Sequence, residues 1–282
     1  MSGAYVFDDG CTARWRAAVE AHKAHAAADW PREACGLIDG GGMYHPCANI
    51  AEDPVRTFEI ADTELAAIDG GRSAALLHSH TAIPQEGGPA LPPLDAPSAA
   101  DMRTQRDMAI PWGITLCLEG GASDPFWFGD PVPRPPLYGR SYRHGVDDCY
   151  SFIRDWHATV AGLTIPDFPR DLDWWEPEPG LPQQDLYREG FAAAGFARVE
   201  RPDGPLPGDV FLCAVRAPVM NHGGVYLGDG LIGHHLMHQL SLRQPASVWR
   251  SKLRFFVRHR DLPDTWTPDT GRPDADAWKP DA

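Results

Sequence analysis

The sequence predicts an α+β protein built from two domains. Three observations carry this. The chain is 282 residues long, roughly twice the commonest domain size. A proline-rich stretch, DPVPRPP at 130–136, separates two halves of different pattern. In the second half, helical periodicity comes first and short strands follow, which is the α+β order. With 43% hydrophobic residues, ten Trp and eleven Phe, there is enough apolar material for packed cores, and disorder throughout is excluded. The 28 Gly and 28 Pro require short elements and many loops.

Taken in order, residues 12–29 form an alanine-rich amphipathic pattern behind a capping Thr12 and predict a helix. Between 34 and 61 the runs CGLI, MYHPC and VRTFEI, separated by glycines and Asp53-Pro54, predict strands joined by turns. The small apolar run 73–77 predicts a buried strand that delivers His78 and His80 at its end. Residues 81–97 are a long proline- and glycine-rich loop. A helix starts at Ser98, and strands follow at 112–118 and 126–128. This gives a first domain over 1–130 and a linker over 131–140.

The second domain, 141–260, opens with a helix at about 147–163, with Cys149, Phe152, Ile153, Trp156 and Val160 on one face. A proline- and tryptophan-rich excursion at 165–182 leads to a helix near 185–194. Strands are predicted at 209–215, 222–227 and 231–236, the last two hinged on Asp229-Gly230, and again at 248–258. The tail, 261–282, carries six aspartates and is expected to be disordered unless bound.

Lys and Arg total 25 against 39 Asp and Glu, a net charge of −14, which argues against nucleic acid or anionic lipid as a partner. The start MSGAYVFDDG lacks the features of an export signal, and no stretch approaches the ~20 apolar residues of a membrane span. Synthesis in the cytoplasm without ordinary export is therefore expected. Six cysteines without a CxxC pair read mostly as reduced thiols.

Two constellations carry chemistry. In the first, His78 and His80 at i and i+2 on a strand point to one side, and Asp101 downstream would complete three ligands with a fourth position left for water. The same residues have a bland reading: Ser98 and Asp101 are what a helix N-terminus wants, and two histidines can be satisfied core residues. In the second, Cys149 stands at a helix start, where the macrodipole and free N–H groups favour a thiolate, and histidines follow on antiparallel strands. A strict two-residue turn at Asp229-Gly230 would put His235 on the face of His222, whereas a bulge or three-residue loop would put His234 there.

Glu33 in Glu33-Ala34-Cys35-Gly36, then His78-Ser79-His80, then Pro97-Ser98-Ala99-Ala100-Asp101, together resemble the JAMM metalloprotease pattern. That resemblance implies zinc on His78, His80 and Asp101, Glu33 as general base and Ser98 at the oxyanion. Thr81 in place of the usual proline and the longer loop to Ser98 depart from it. Gly145-x-x-Asp148-Cys149, Pro207-Gly208-Asp209 and His222-Gly-Gly-Val-Tyr226-Leu-Gly228-Asp-Gly230 with His234 resemble NlpC-type cysteine peptidases. This implies Cys149 as nucleophile, His222 as base and His234 as the residue that orients it, with Tyr142 and Asp148 on the substrate or oxyanion side and no cofactor.

The pairing of the two resembles the lambda-K type of phage tail-tip assembly protein. It implies a JAMM-like α/β domain with a mixed sheet, then a papain-like NlpC-type domain with helices on an antiparallel sheet. It also implies a virion component that meets tail-tip or hub proteins and cuts peptidoglycan stem peptides in the host envelope. A structural tail factor with vestigial sites, and a zinc-dependent processing protease, are the alternative readings.

Overall fold

The computed structural model describes residues 9–268 apart from 69, 71, 84, 86, 178, 181 and 182. They divide into two compact units that meet in sequence at Arg134-Pro135.

The first unit begins with helices α1 (Cys11–Arg14) and α2 (Arg16–Asp29). The single helix expected here is interrupted at Trp15, whose φ of −115° and ψ of 32° leave the helical region. Trp15 instead buries its ring against Trp127, 5.2 Å away. Strands β1 (Cys35–Ile38), β2 (Tyr44–Cys47), β3 (Ala75–Thr81), β4 (Trp112–Leu118), β5 (Gly121–Ala122) and β6 (Phe126–Phe128) form one sheet. Its order is β2-β1-β3-β4-β5, with β6 also on β4. Only β3 and β4 run parallel, so the sheet is mixed. Buried throughout, β1 is an uninterrupted small and apolar run, and β3 is apolar to Leu77 before His78, Ser79, His80 and Thr81.

The strand expected at VRTFEI is absent. Asn49 holds this segment as a turn and an extended run: its Oδ1 accepts from Ala51 and Glu59 N–H, and its Nδ2 donates to the carbonyls of Glu33 and Thr57. Short helix α3 (Asp62–Ala67) follows. Helix α4 (Ala99–Met108) starts where expected, because Ser98 and Asp101 form a reciprocal capping box.

The second unit holds α5 (Cys149–Trp156), which passes into a π-helical turn at His157–Ala161, and α6 (Leu186–Gly190). Its sheet consists of β7 (Phe196–Val199), β8 (Val210–Cys213), β9 (His222–Gly228), β10 (Leu231–His234), β11 (Leu242–Pro245) and β12 (Leu253–His259). All pairs are antiparallel, in the order β11-β10-β9-β8-β12-β7. Phe152, Ile153 and Trp156 of α5 pack with Val210, Leu212 and Val225 in one core. The sequence predicts no strand at β7 or β11, which form the two sheet edges.

The tail differs from expectation at its start. Leu262 is buried, Asp264 pairs with Arg201 at 2.6 Å, and Trp266 packs edge-on to Trp156. An apolar anchor and an arginine partner outweigh the aspartates there. Residues 269–282, the rest of the tail, lie outside the described residues.

Candidate active sites

The second unit's site is built on the first turn of α5. Asp148 caps it: Oδ1 accepts from the Ser151 amide at 2.9 Å and the Ser151 hydroxyl at 3.1 Å. Its Oδ2 accepts from the Gly145 amide at 2.9 Å and from Arg170 Nε at 2.8 Å. Burial opposes the charge, yet Arg170 and His144 hold the carboxyl below the usual carboxylate range. With four donors on its two oxygens, Asp148 does not face substrate as expected. It fixes the helix start, and Arg170 of the proline-rich excursion is the cation that makes its burial tolerable.

Cys149 is 8% exposed. Its sulfur lies 3.1 Å from Tyr187 Oη and 3.9 Å from the Asn221 carbonyl oxygen. The thiol therefore meets the main chain immediately before His222. This approach needs small residues: a Cβ on Gly223 would stand 3.2 Å from Ile153 Cδ1 and one on Gly233 would stand 2.9 Å from the Phe152 ring. The helix start was expected to favour a thiolate. Burial, and then the adjacent Asp148 charge, push the thiol up to about 11 instead, against the opposing pulls of Tyr187 and Arg170.

The histidines are placed by a bulge. Leu231 pairs with Gly228 but Ile232 pairs with Tyr226, so Leu227 is the extra residue and His234 falls opposite Gly224. His234 thus shares the face of His222, and His222 Nε2 lies 3.0 Å from His234 Nδ1. On its other side, His234 Nε2 is 2.5 Å from the side-chain amide of Gln244. His235 turns elsewhere, with its Nε2 3.2 Å from the Gln239 carbonyl and its ring against Tyr142 at 5.2 Å. Gly224 leaves the room this register requires, since a Cβ there would meet the His234 Cβ at 2.6 Å. Trp249 stacks on His222 at 5.0 Å.

Burial, and then the neighbouring histidines, push His222 well below its ordinary value; burial and His235 bring His234 to about 4. Both rings are neutral at pH 7. Burial, and then Cys149, raise the Tyr142 phenol, which stays protonated. Gln244, Tyr187, Trp249 and Arg170 were missed in the sequence. Gln244 sits in an unrecognised edge strand and the other three in stretches without a motif, so only strand pairing and packing bring them in.

The first unit places His78 and His80 within β3 rather than beyond its end, and the capped start of α4 brings Asp101 to them. His78 Nε2 and His80 Nε2 are 3.3 Å apart, and each is 3.5 Å from an Asp101 carboxylate oxygen. A tetrahedral zinc with bonds of about 2.0–2.1 Å has ligand–ligand edges of about 3.3–3.4 Å; the two nitrogens match that edge, their 3.5 Å contacts run to Oδ1 for His78 and Oδ2 for His80, and one donor atom from each residue lies within 4.8 Å of the others, so the donor set suits that ion. Among the described residues, this is the one group of three or more candidate ligands.

The loop at 81–97 joins the site, because the Leu94 carbonyl lies 2.8 Å from His80 Nδ1 and orients its Nε2 inward. Thr81 is buried and donates to the Pro31 carbonyl at 2.8 Å. Glu33 is buried beside His80 and Asp101; burial raises its carboxyl to about 8, with Asp101 and Asp53 adding to the rise and His80 opposing it. Ser98 donates its hydroxyl to Asp101 Oδ2 at 2.7 Å and accepts from the Asp101 amide. Its hydroxyl is taken up by Asp101 rather than standing free at an oxyanion position.

Residues 139–258 match the NlpC/P60 family. Tail tip assembly protein K of Escherichia phage N15 is 28% identical over 249 residues, covering 86% of this chain and 95% of that protein. Tail tip assembly protein K of Escherichia phage lambda is 37% identical over 191 residues, covering 67% of this chain and 83% of that protein. On that identity and coverage, the chain belongs to the family of phage tail tip assembly protein K.

Proposed function

We propose that the chain is a component of a phage-like tail tip whose second unit is a cysteine endopeptidase of peptidoglycan stem peptides. In this reading it is made in the host cytoplasm, carried in the virion with tail-tip or hub proteins, and opens the wall locally during genome delivery. No helix among the described residues is long and apolar enough to cross a membrane. The observation that carries the reading is the series of buried His222 and His234 and half-buried Gln244, with the Cys149 sulfur 3.9 Å from the carbonyl of Asn221, the residue before His222.

The series also sets the proton positions. An amide's oxygen and nitrogen exchange places by a half-turn, and with its oxygen towards His234 the Gln244 amide accepts the Nε2 proton. His234 Nδ1 then accepts from His222 Nε2–H, which leaves the His222 Nδ1 lone pair to take the Cys149 proton. A thiol at about 11 and a neutral imidazole suit a general-base mechanism and not a resting ion pair.

The sulfur attacks the substrate carbonyl, and the proton held on His222 passes to the leaving amine. Water then hydrolyses the thioester. The Tyr187 hydroxyl, 3.1 Å from the sulfur, is placed to donate to charge that develops during attack. Folded, reduced wild-type protein is expected to clear purified wall and Cys149→Ala is expected not to. Absence of clearing by the wild type would leave the structural tail-tip role alone.

A second reading is supported by the His78, His80 and Asp101 donor set, which suits zinc, in a first unit that would act as a processing metallopeptidase. Zinc, when bound, supplies Lewis-acid chemistry and an acidified water. The chain's own part would be to present two imidazoles and a carboxylate, and to hold Glu33 nearby as proton acceptor. Burial keeps that carboxyl protonated at neutral pH, and a nearby cation favours its ionised form.

A further inference from the structure

The second unit carries an open cavity of about 470 Å³ that the mechanism above does not use. Arg188, Arg198 and Arg254 line it together with Phe191, Met220 and Phe255. Arg198 lies over the Phe255 ring at 5.0 Å and reaches the exposed Glu200. No ion pair forms at Arg188 or Arg254 among the described residues, and Asp185 is the one acid in the wall. Arg198 has Glu200 and Arg188 has Asp185 nearby, which leaves Arg254 as the excess cation of the wall in a chain of net charge −14, and a charged groove with apolar walls concentrates anions.

Its position adds to this. Asp185 caps α6, which carries Tyr187 to within 3.1 Å of the Cys149 sulfur. Met220 precedes Asn221, whose carbonyl lies 3.9 Å from the same sulfur. Two of the segments that line the cavity thus also carry the groups that flank the nucleophile.

We infer that this groove is the substrate-binding cleft for the acidic part of the stem peptide, with Arg188 and Arg254 pairing free carboxylates of the bound chain and Phe191 and Phe255 lining its aliphatic stems. The inference rests on the peptidase reading for its substrate, and it is tested by binding so that the two fail separately. Full-length Cys149→Ala protein is titrated with a stem tetrapeptide bearing free side carboxylates and with the same peptide amidated at those positions. Further titrations add Arg188→Gln and Arg254→Gln.

Free-acid peptide should bind more tightly than amidated peptide. Each arginine change should weaken only the free-acid form, by about three- to tenfold, and added salt should erase the difference. Equal affinity for the two peptides, or unchanged affinity in both arginine variants, would overturn the inference. So would failure of the arginine variants in tail assembly with peptide binding intact, which would assign the groove to a protein partner. Wall clearing by the wild type reports on the peptidase reading alone.

Discussion

Replacing His234 by alanine isolates the consequence of the bulge at Leu227. The wild-type contact is a buried hydrogen bond of 3.0 Å to His222 Nε2, in a ring that becomes cationic only while it holds the Cys149 proton. A hydrogen bond to a charged group contributes about 1.5–3 kcal/mol, and each 1.36 kcal/mol is tenfold in rate. Loss of His234 is therefore expected to lower kcat/KM by about 10- to 150-fold.

His235, one residue on, supplies the control, since it bonds the Gln239 carbonyl and not His222. His235→Ala should stay within about threefold of wild type by the same conversion. The assay is release of the new amino group from a soluble stem peptide, with thermal unfolding of each variant as a fold check. If the folded His234→Ala protein kept wild-type kcat/KM, or if His235→Ala fell just as far, the relay would be refuted.

Other expectations follow from the same geometry. Gln244→Glu keeps an acceptor opposite His234 Nε2 and should retain most activity, whereas Gln244→Leu should lose about tenfold; equal loss in both, read by peptide hydrolysis, would remove Gln244 from the relay. His157, His234 and His235 stand near 4 in the folded protein, with burial as the leading cause, so below pH 6.5 the unfolded chain binds protons that the folded one does not. Stability should fall as pH drops from about 6.5 towards 4, by about 1.4 kcal/mol per pH unit for each such group, and a melting temperature unchanged over that range would contradict their buried, neutral state. The first unit should take up one zinc per chain, and His80→Ala should lose it; equal metal content in the two proteins would remove these residues as ligands.

Much of the fold was legible because local chemistry and tertiary context agree. Ser98 and Asp101 signal a helix start and form one, and CGLI and WGITLCL are buried strands because their neighbours on both sides are apolar. The choice between His234 and His235 hung on a bulge, which the motif spacing favoured and the turn residues alone did not settle. Other features lie in partners far along the chain. VRTFEI has strand propensity, but Asn49 captures its backbone groups. Gln244 lies in the short edge strand LRQP, where half-exposed side chains give no apolar alternation. The thiol at Cys149 shows the limit of reading a helix start by itself: Asp148, which makes the start, is also the charge that opposes the thiolate.

The central claim, that Cys149 is an acylating nucleophile, is tested most directly by intact-mass measurement of the protein quenched in acid during turnover of a stem peptide. The account expects a mass increase equal to the acyl half of the substrate on Cys149, present in wild type and in His78→Ala and absent in Cys149→Ala. Peptide cleavage that proceeds without an adduct and survives Cys149→Ala would contradict it.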